Sequence, residues 1–228
     1  KEYFHKIKNK LLPYVNICLS DNIKHIQRSD NKDKMLKVFH GTIKLLNNTM
    51  FDMVDEEIFE STSDMTKSDL INFKFDNINN QKKILAEIKI INKDDLHNYI
   101  NKKYGNVCKL ALILGWVLGG GDDKIVEEFE KMGSQLGMMV KISDDFKNIE
   151  RDLLNINNNI STNYIINYGM QTAFETFFEH KTQFIKGCMT HDLYTNSVKE
   201  VIDSLEDEID VVIDKMPADM KSQYTLSR

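Results

Sequence analysis

Proline is nearly absent from this sequence. Of its 228 residues, only Pro13 and Pro217 are prolines. Because proline lacks a backbone N–H and its ring clashes with the preceding helical turn, residues 14–216 carry no obligate helix breaker. No alternation of apolar and polar residues predicts a strand, and no segment is repeated. The sequence therefore predicts an all-α protein.

Cysteine is also scarce, and long apolar runs are absent. Cys18, Cys108 and Cys188 lie far apart without a paired metal-ligand spacing, so we expect reduced thiols in an intracellular, cytoplasmic compartment. No apolar run approaches the ~20 residues that cross a bilayer, and the first residues do not resemble a signal peptide. The chain begins with Lys1 rather than Met, so an anchor in a longer chain, with peripheral membrane association, stays an open alternative.

An excess of positive charge is missing as well. The net charge of −5 argues against broad nucleic-acid binding, which needs a strong basic field. Hydrophobic residues make up 41% and charged residues 29%, a composition typical of a globular protein. The length suits one domain over residues 1–228.

Apolar residues spaced three and four apart are what the sequence has in abundance, and this spacing is typical of amphipathic helices. Residues 61–81 are rich in polar residues and predict a loop with one short helix. Small residues at four-residue steps, Ala111, Gly115 and Gly119 and then Gly133 and Gly137, predict helices that pack closely. The predicted helices cover residues 3–19, 35–59, 92–104, 110–118, 122–154, 164–190 and 194–216. We expect Asp122 and Asp123 to cap the helix over 122–154. The side chains expected to face inward on that helix are Ile125, Phe129, Met132, Leu136, Val140 and Ile142.

The most informative segment is an acidic stretch inside the long helix at 122–154. Asp144, Asn148 and Asp152 follow each other at four-residue steps, so a helix places them on nearly one side, with Asp145 beside them. The preceding residues are mostly apolar and small, so this end of the acidic face is expected within the bundle. Oxygen ligands of this kind are what Mg²⁺ accepts, especially when a substrate phosphate completes its shell.

The same spacing has a second interpretation. Asp144 and Asp145 can lie on a solvated face, or they can pair with Lys141 and Lys147 nearby. Spacing alone leaves the two interpretations equally open.

Two segments in order resemble one known family. The run GSQLGMMVKISDDFKN at 133–148 resembles the second aspartate-rich motif of the trans-isoprenyl diphosphate synthases. The run YINKKYG at 99–105 resembles the segment of that family in which a Lys, normally followed by Thr, binds a substrate diphosphate. The run GWVLG at 115–119 is similar to one in the large-DNA-virus branch, whose members act inside a host cell. The resemblance covers roughly residues 93–215.

This resemblance implies a bundle of about ten or more helices around a central cavity, usually as a homodimer. It implies a Mg²⁺-dependent prenyltransferase of isoprenoid biosynthesis, which condenses isopentenyl diphosphate with an allylic diphosphate. By this resemblance, Asp144, Asp145 and, more weakly, Asn148 bind the metal. Lys103 contacts a diphosphate oxygen, and Lys141 is a second candidate for that contact.

The sequence also departs from the family pattern. Asn148 stands where the third aspartate is expected, and Tyr104 replaces the usual Thr. Lys141 occupies a Gln position, where it can neutralise Asp145 or touch phosphate.

The first aspartate-rich motif of the family is not found. The spacing points to residues near 14, which supply only Asp21 and no pair of arginines. The acidic cluster at 52–57 is an imperfect substitute, and it lies too close in sequence. An alternative is therefore a catalytically impaired or inactive homologue that acts as a partner subunit or scaffold.

Overall fold

A computed structural model describes residues 89–118, 125–154 and 161–215, together with seven positions between 33 and 43. Of the residues described, 87% are helical and none forms a strand, which confirms the all-α prediction for this part of the chain. The chain divides into two compact units, residues 1–47 and residues 48–228.

In the first unit, the described positions all lie in helix, and the Phe39 side chain is buried. These positions agree with the beginning of the helix predicted over 35–59. The helix predicted over 3–19 and the loop predicted over 61–81 lie outside the described residues.

The described part of the second unit begins with three helical segments that follow one another without a break. These are α1 (Lys93–Ile100), a π-helical turn (Asn101–Gly105) and α2 (Asn106–Leu118). The side chain of Asn92 caps α1 by accepting a hydrogen bond from the Asp94 amide at 2.9 Å. The sequence predicted separate helices over 92–104 and 110–118. That separation is wrong, since both Asn101 and Asn106 have right-handed helical backbone angles and nothing between them ends the helix.

The longest described helix, α3 (Val126–Leu154), packs against α1, the π-helical turn, α2 and three later helices. Its inward side chains follow the predicted face, with Phe129, Met132 and Ile142 buried. The predicted N-terminal caps, Asp122 and Asp123, lie outside the described residues.

A single helix was predicted over 164–190, and this prediction is wrong. The structure has two helices, α4 (Tyr164–Tyr168) and α5 (Met170–Thr190). Gly169 separates them with φ at 84°, a left-handed conformation that glycine adopts without the steric cost of a Cβ. The chain changes direction there because this one residue leaves the helical region.

The last helix, α6 (Asn196–Ile213), begins after Thr195, whose hydroxyl accepts a hydrogen bond from the Val198 amide at 3.4 Å. The core lies where α1, α3, α4, α5 and α6 meet. Its fully buried side chains include Leu96, Met139, Phe146, Tyr164, Phe174, Phe177 and Ile209.

The described ranges contain six α-helices, and none of them combines the length and the apolar character of a membrane-spanning segment. A total of ten or more helices, a single domain and a central cavity stay predictions.

Candidate functional site

Four buried residues recur at four-residue steps along α3 and form what we call the inner row: Gly133, Gly137, Lys141 and Asp145. Its two glycines allow a close helix contact. A Cβ at Gly137 would lie 2.5 Å from the Cα of Gly105, and a Cβ at Gly133 would lie 2.5 Å from the Cα of Lys109. The prediction of close packing along Gly133 and Gly137 is therefore confirmed.

The other predicted strip of small residues behaves differently. Ala111 and Gly115 are exposed on α2, and no described atom lies within 4 Å of a Cβ built at Gly115. Gly119 lies outside the described residues.

The charged half of the inner row is a buried ion pair. The side chains of Lys141 and Asp145 are in direct contact, although the two residues are only 4% and 1% exposed. Lys141 Nζ donates to Asp145 Oδ1, and the backbone N–H of Tyr164 donates to Asp145 Oδ2 at 2.7 Å. Each oxygen of the Asp145 carboxylate thus has a donor from the protein itself.

Burial raises the pKa of Asp145 to about 6, while the Lys141 ammonium and the Tyr164 N–H act in the opposite direction. With a pKa of about 6, most of the Asp145 carboxylate is ionised at neutral pH. The sequence left two interpretations open, a solvated face or a pair with a nearby lysine. For Asp145 the structure shows the pair, with Lys141.

Lys103 lies near the same pair. It belongs to the π-helical turn, and its Nζ donates to the hydroxyl of Tyr99 at 3.0 Å. The ring centroid of Tyr104 lies 5.7 Å from Lys103 Nζ and also 5.7 Å from Lys141 Nζ. Because Gly137 admits the backbone of this turn against α3, the two predicted diphosphate-binding lysines share one aromatic ring.

A second set of polar residues, the outer row, consists of Asp144, Asn148 and Asp152 on another side of α3. The Asp144 side chain is exposed, and its Oδ1 accepts a hydrogen bond from Asn148 Nδ2 at 2.7 Å. Asp152 Oδ2 accepts one from Asn163 Nδ2 at 3.0 Å.

Lys147, the other lysine beside the aspartates, pairs with neither of them. Its Nζ lies 2.5 Å from Glu208 Oε1 on α6, at the surface. This exposed pair links α3 to α6 without involving the two rows.

The predicted metal ligands are only partly brought together. Asp144 and Asp145 are neighbours on a helix, so their side chains diverge by about 100°, and one is exposed while the other is buried. Asn148 presents its NH₂ group, a donor, to Asp144. Among the described residues, no group of three or more acidic, His or Cys side chains could hold a metal ion. Of the predicted ligands, Asp144 is the one whose carboxylate is exposed. The acidic cluster at 52–57 and Asp21 lie outside the described residues.

Sequence reasoning missed the role of Asn163. Its Oδ1 accepts from the amides of Ile165 and Ile166, which caps α4, while its Nδ2 donates to the Asp145 carbonyl at 3.1 Å. An Asn immediately before an apolar run is a recognised helix-start signal, so the cap could have been found. The contact with Asp145 could not, since it joins segments that are distant in sequence.

The Tyr164 side chain, whose backbone N–H contacts Asp145, has polar neighbours of its own. The Tyr164 hydroxyl is 3.2 Å from His97 Nε2 and 3.4 Å from Thr176 Oγ1. Burial lowers the pKa of both His97 and His180.

The predicted reduced thiols are found at two of the three cysteines. Cys108 and Cys188 are free, and burial raises the pKa of each thiol to about 11. Such thiols are poor nucleophiles at neutral pH because little thiolate is present. Cys18 lies outside the described residues.

Comparison with known proteins adds no relative to this picture. No protein-family model matches the chain, and neither a curated protein nor a solved structure does. The family resemblance thus rests on the two motifs.

Proposed function

We propose that the chain is a Mg²⁺-dependent prenyltransferase, which condenses isopentenyl diphosphate with an allylic diphosphate to give a longer polyprenyl diphosphate. The observation that supports this proposal is the arrangement around Tyr104. Lys103 from the run at 99–105 and Lys141 from the run at 133–148 lie beside this ring, and Lys141 is paired with Asp145. Two motifs that are distant in sequence therefore contribute to one locality.

In this proposal Lys103 binds an oxygen of the substrate diphosphate. The hydroxyl of Tyr99, together with the rings of Tyr99 and Tyr104, holds its ammonium in place. Hydrogen bonds between an ammonium and a phosphate oxygen are about twice as strong as neutral ones. A positioned lysine thus favours charge on the diphosphate.

Asp144 is the residue that holds Mg²⁺ in this proposal, with Asn148 beside it. Its carboxylate is exposed, and carboxylate oxygen is a ligand that Mg²⁺ accepts. When bound, the ion stabilises the negative charge that develops on the departing diphosphate.

The reaction forms one carbon–carbon bond. The allylic C–O bond breaks and diphosphate leaves with the electron pair; the double bond of isopentenyl diphosphate attacks the allylic cation, and one proton is then lost. Lys103 stabilises the leaving group through its positive charge. We propose that the protein acts as a cytoplasmic homodimer, in the host cell if it is viral.

Incorporation of labelled isopentenyl diphosphate into a longer product tests the proposal. We expect incorporation that depends on Mg²⁺ and is abolished in Asp144→Ala, while Lys147→Ala, on the exposed pair with Glu208, retains it. No incorporation with any short allylic primer would overturn the enzymatic proposal.

The buried ion pair favours a second candidate function, a non-catalytic homologue that serves as a partner subunit or scaffold. Asp145 is occupied by Lys141, which leaves Asp144 as the accessible carboxylate of the predicted aspartate pair. Isothermal titration with a non-hydrolysable allylic diphosphate analogue and Mg²⁺ separates the candidates. Tight binding supports the enzyme, and no binding supports the scaffold.

A further inference from the structure

We infer that the Lys141 ammonium is a built-in cation that takes the place of a metal ion at Asp145. It follows that Asp144, rather than Asp145, is the residue of this adjacent pair that is open to a divalent ion. The inference rests on the proposed function only in treating the acidic segment as the place where a divalent ion is expected.

Both oxygens of the Asp145 carboxylate already accept a hydrogen bond. Its Oδ1 receives Lys141 Nζ and its Oδ2 receives the Tyr164 N–H at 2.7 Å. The residue is 1% exposed, so an entering ion would have to replace these donors rather than add to them. Such a replacement breaks two charge-assisted hydrogen bonds, which are among the strongest in proteins.

An ion that entered at Asp145 would displace a buried lysine. Lys141 is itself 4% exposed, so its ammonium would lose its carboxylate while it remained in the protein interior. Removing one member of a buried pair is strongly destabilising because the other charge is left uncompensated. A divalent ion must first overcome this cost.

The Lys141 ammonium also has a high effective concentration at Asp145. Lys141 and Asp145 lie one helical turn apart on the same helix, so the ammonium reaches the carboxylate without any loss of translational freedom. A tethered partner competes at an effective concentration that is typically in the millimolar range or higher. Any ion from solution must therefore compete at Asp145 with a tethered ammonium.

In the outer row, Arg151 pairs with Asp152 at 3.2 Å, whereas Asp144 has no ion pair among the described residues. Asp144 receives the neutral Nδ2 of Asn148, and its carboxylate is exposed to solvent. Two consecutive aspartates thus differ in what neutralises them. Lys141 serves Asp145, whereas Asp144 is accessible to an ion from solution.

The test compares Mn²⁺ binding by the whole chain, its Lys141→Gln variant and a matched Lys147→Gln control. Both substitutions remove one positive charge from α3, but Lys147 belongs to the exposed pair with Glu208. Mn²⁺ binding is measured by titration, and thermal unfolding is recorded with and without Mn²⁺, in the absence of any diphosphate.

We expect Lys141→Gln to bind Mn²⁺ about tenfold more tightly than the unchanged chain and to gain thermal stability when Mn²⁺ is added. Lys147→Gln should bind it as the unchanged chain does. The double variant Lys141→Gln/Asp145→Asn should lose the gain, since its carboxylate is gone.

Equal Mn²⁺ binding by Lys141→Gln and Lys147→Gln would overturn the inference, and so would a gain that persists in the double variant. If Lys141→Gln fails to fold, restoration of its fold by millimolar Mn²⁺ supports the inference, and no restoration refutes it. The assay contains no diphosphate, so its outcome is independent of whether the protein transfers prenyl groups.

Discussion

The inner and outer rows of α3 run side by side with the same four-residue spacing, yet they differ in burial and in how their charges are neutralised. The inner row ends in a buried pair in which Lys141 neutralises Asp145. The outer row begins with an exposed carboxylate, Asp144, whose partner is a neutral amide. Adjacent aspartates can therefore have separate roles, one in holding the bundle together and one in facing a ligand.

Removing each aspartate in turn tests the difference between the two rows, and we expect the largest effect there. Asp145→Ala leaves the Lys141 ammonium buried without its partner, and we expect a loss of roughly 3–5 kcal/mol in the free energy of unfolding. Asp144→Ala should cost less than about 1 kcal/mol, since its interactions are exposed. Urea denaturation measures both. Equal losses would show that the two rows do not differ in burial.

The glycines of the inner row give the next largest effect. In Gly137→Ala the new Cβ would lie 2.5 Å from backbone atoms of Gly105, so the π-helical turn must move away from α3. We expect a loss of about 1–3 kcal/mol, as for other overpacked contacts.

Gly115→Ala on α2 is the matched control, because its Cβ meets no described atom within 4 Å. It should gain about 0.5–1 kcal/mol through the higher helix propensity of alanine. Denaturation midpoints that fall by the same amount in both variants would contradict the close contact at Gly137.

Asn163 joins the two rows, and its removal should have an intermediate effect. Asn163→Ala loses the cap of α4 together with the bonds from Nδ2 to the Asp145 carbonyl and to Asp152. We expect a loss of about 2 kcal/mol, of which the cap contributes about 1 kcal/mol.

Thr195→Ala, which removes only the cap of α6, should lose about 1 kcal/mol. Thermal denaturation ranks the two variants. A loss in Asn163→Ala no larger than that in Thr195→Ala would mean that the link between the rows contributes no stability.

The smallest expected effect is the pH dependence that His97 and His180 give to the free energy of unfolding. Burial lowers the pKa of His97, and Lys93 lowers it further, while Asp94 raises it. Burial also lowers the pKa of His180. Glu179 raises that pKa, while His97 and Lys93 lower it. The unfolded chain therefore binds protons at these rings more readily than the fold does. Their stabilising contribution is complete above the ordinary pKa of about 6.5 and is lost as the pH falls towards the folded values.

Denaturation midpoints measured between pH 7.5 and 5 should therefore fall less in the double variant His97→Gln/His180→Gln than in the unchanged chain. Identical pH profiles would show that the two rings do not resist protonation in the fold.

Local patterns in the sequence predicted the helical class, the inward face of α3 and the close approach at Gly133 and Gly137. They did not predict the break at Gly169, since a glycine inside an apolar pattern is compatible with a continuous helix. Spacing placed Asp144 and Asp145 together but could not say which was buried, because two consecutive residues carry the same local signal. The tertiary partners of Asp145, Tyr164 and Asn163, come from beyond the helix, where periodicity carries no information.

The most direct test of the division between the rows is a crystal structure grown with Mn²⁺ and a non-hydrolysable allylic diphosphate analogue. Anomalous scattering locates the ion. The account predicts Mn²⁺ on the Asp144 carboxylate, the diphosphate in contact with Lys103 Nζ, and an unbroken pair between Lys141 and Asp145. Mn²⁺ coordinated by Asp145, with Lys141 displaced, would contradict it.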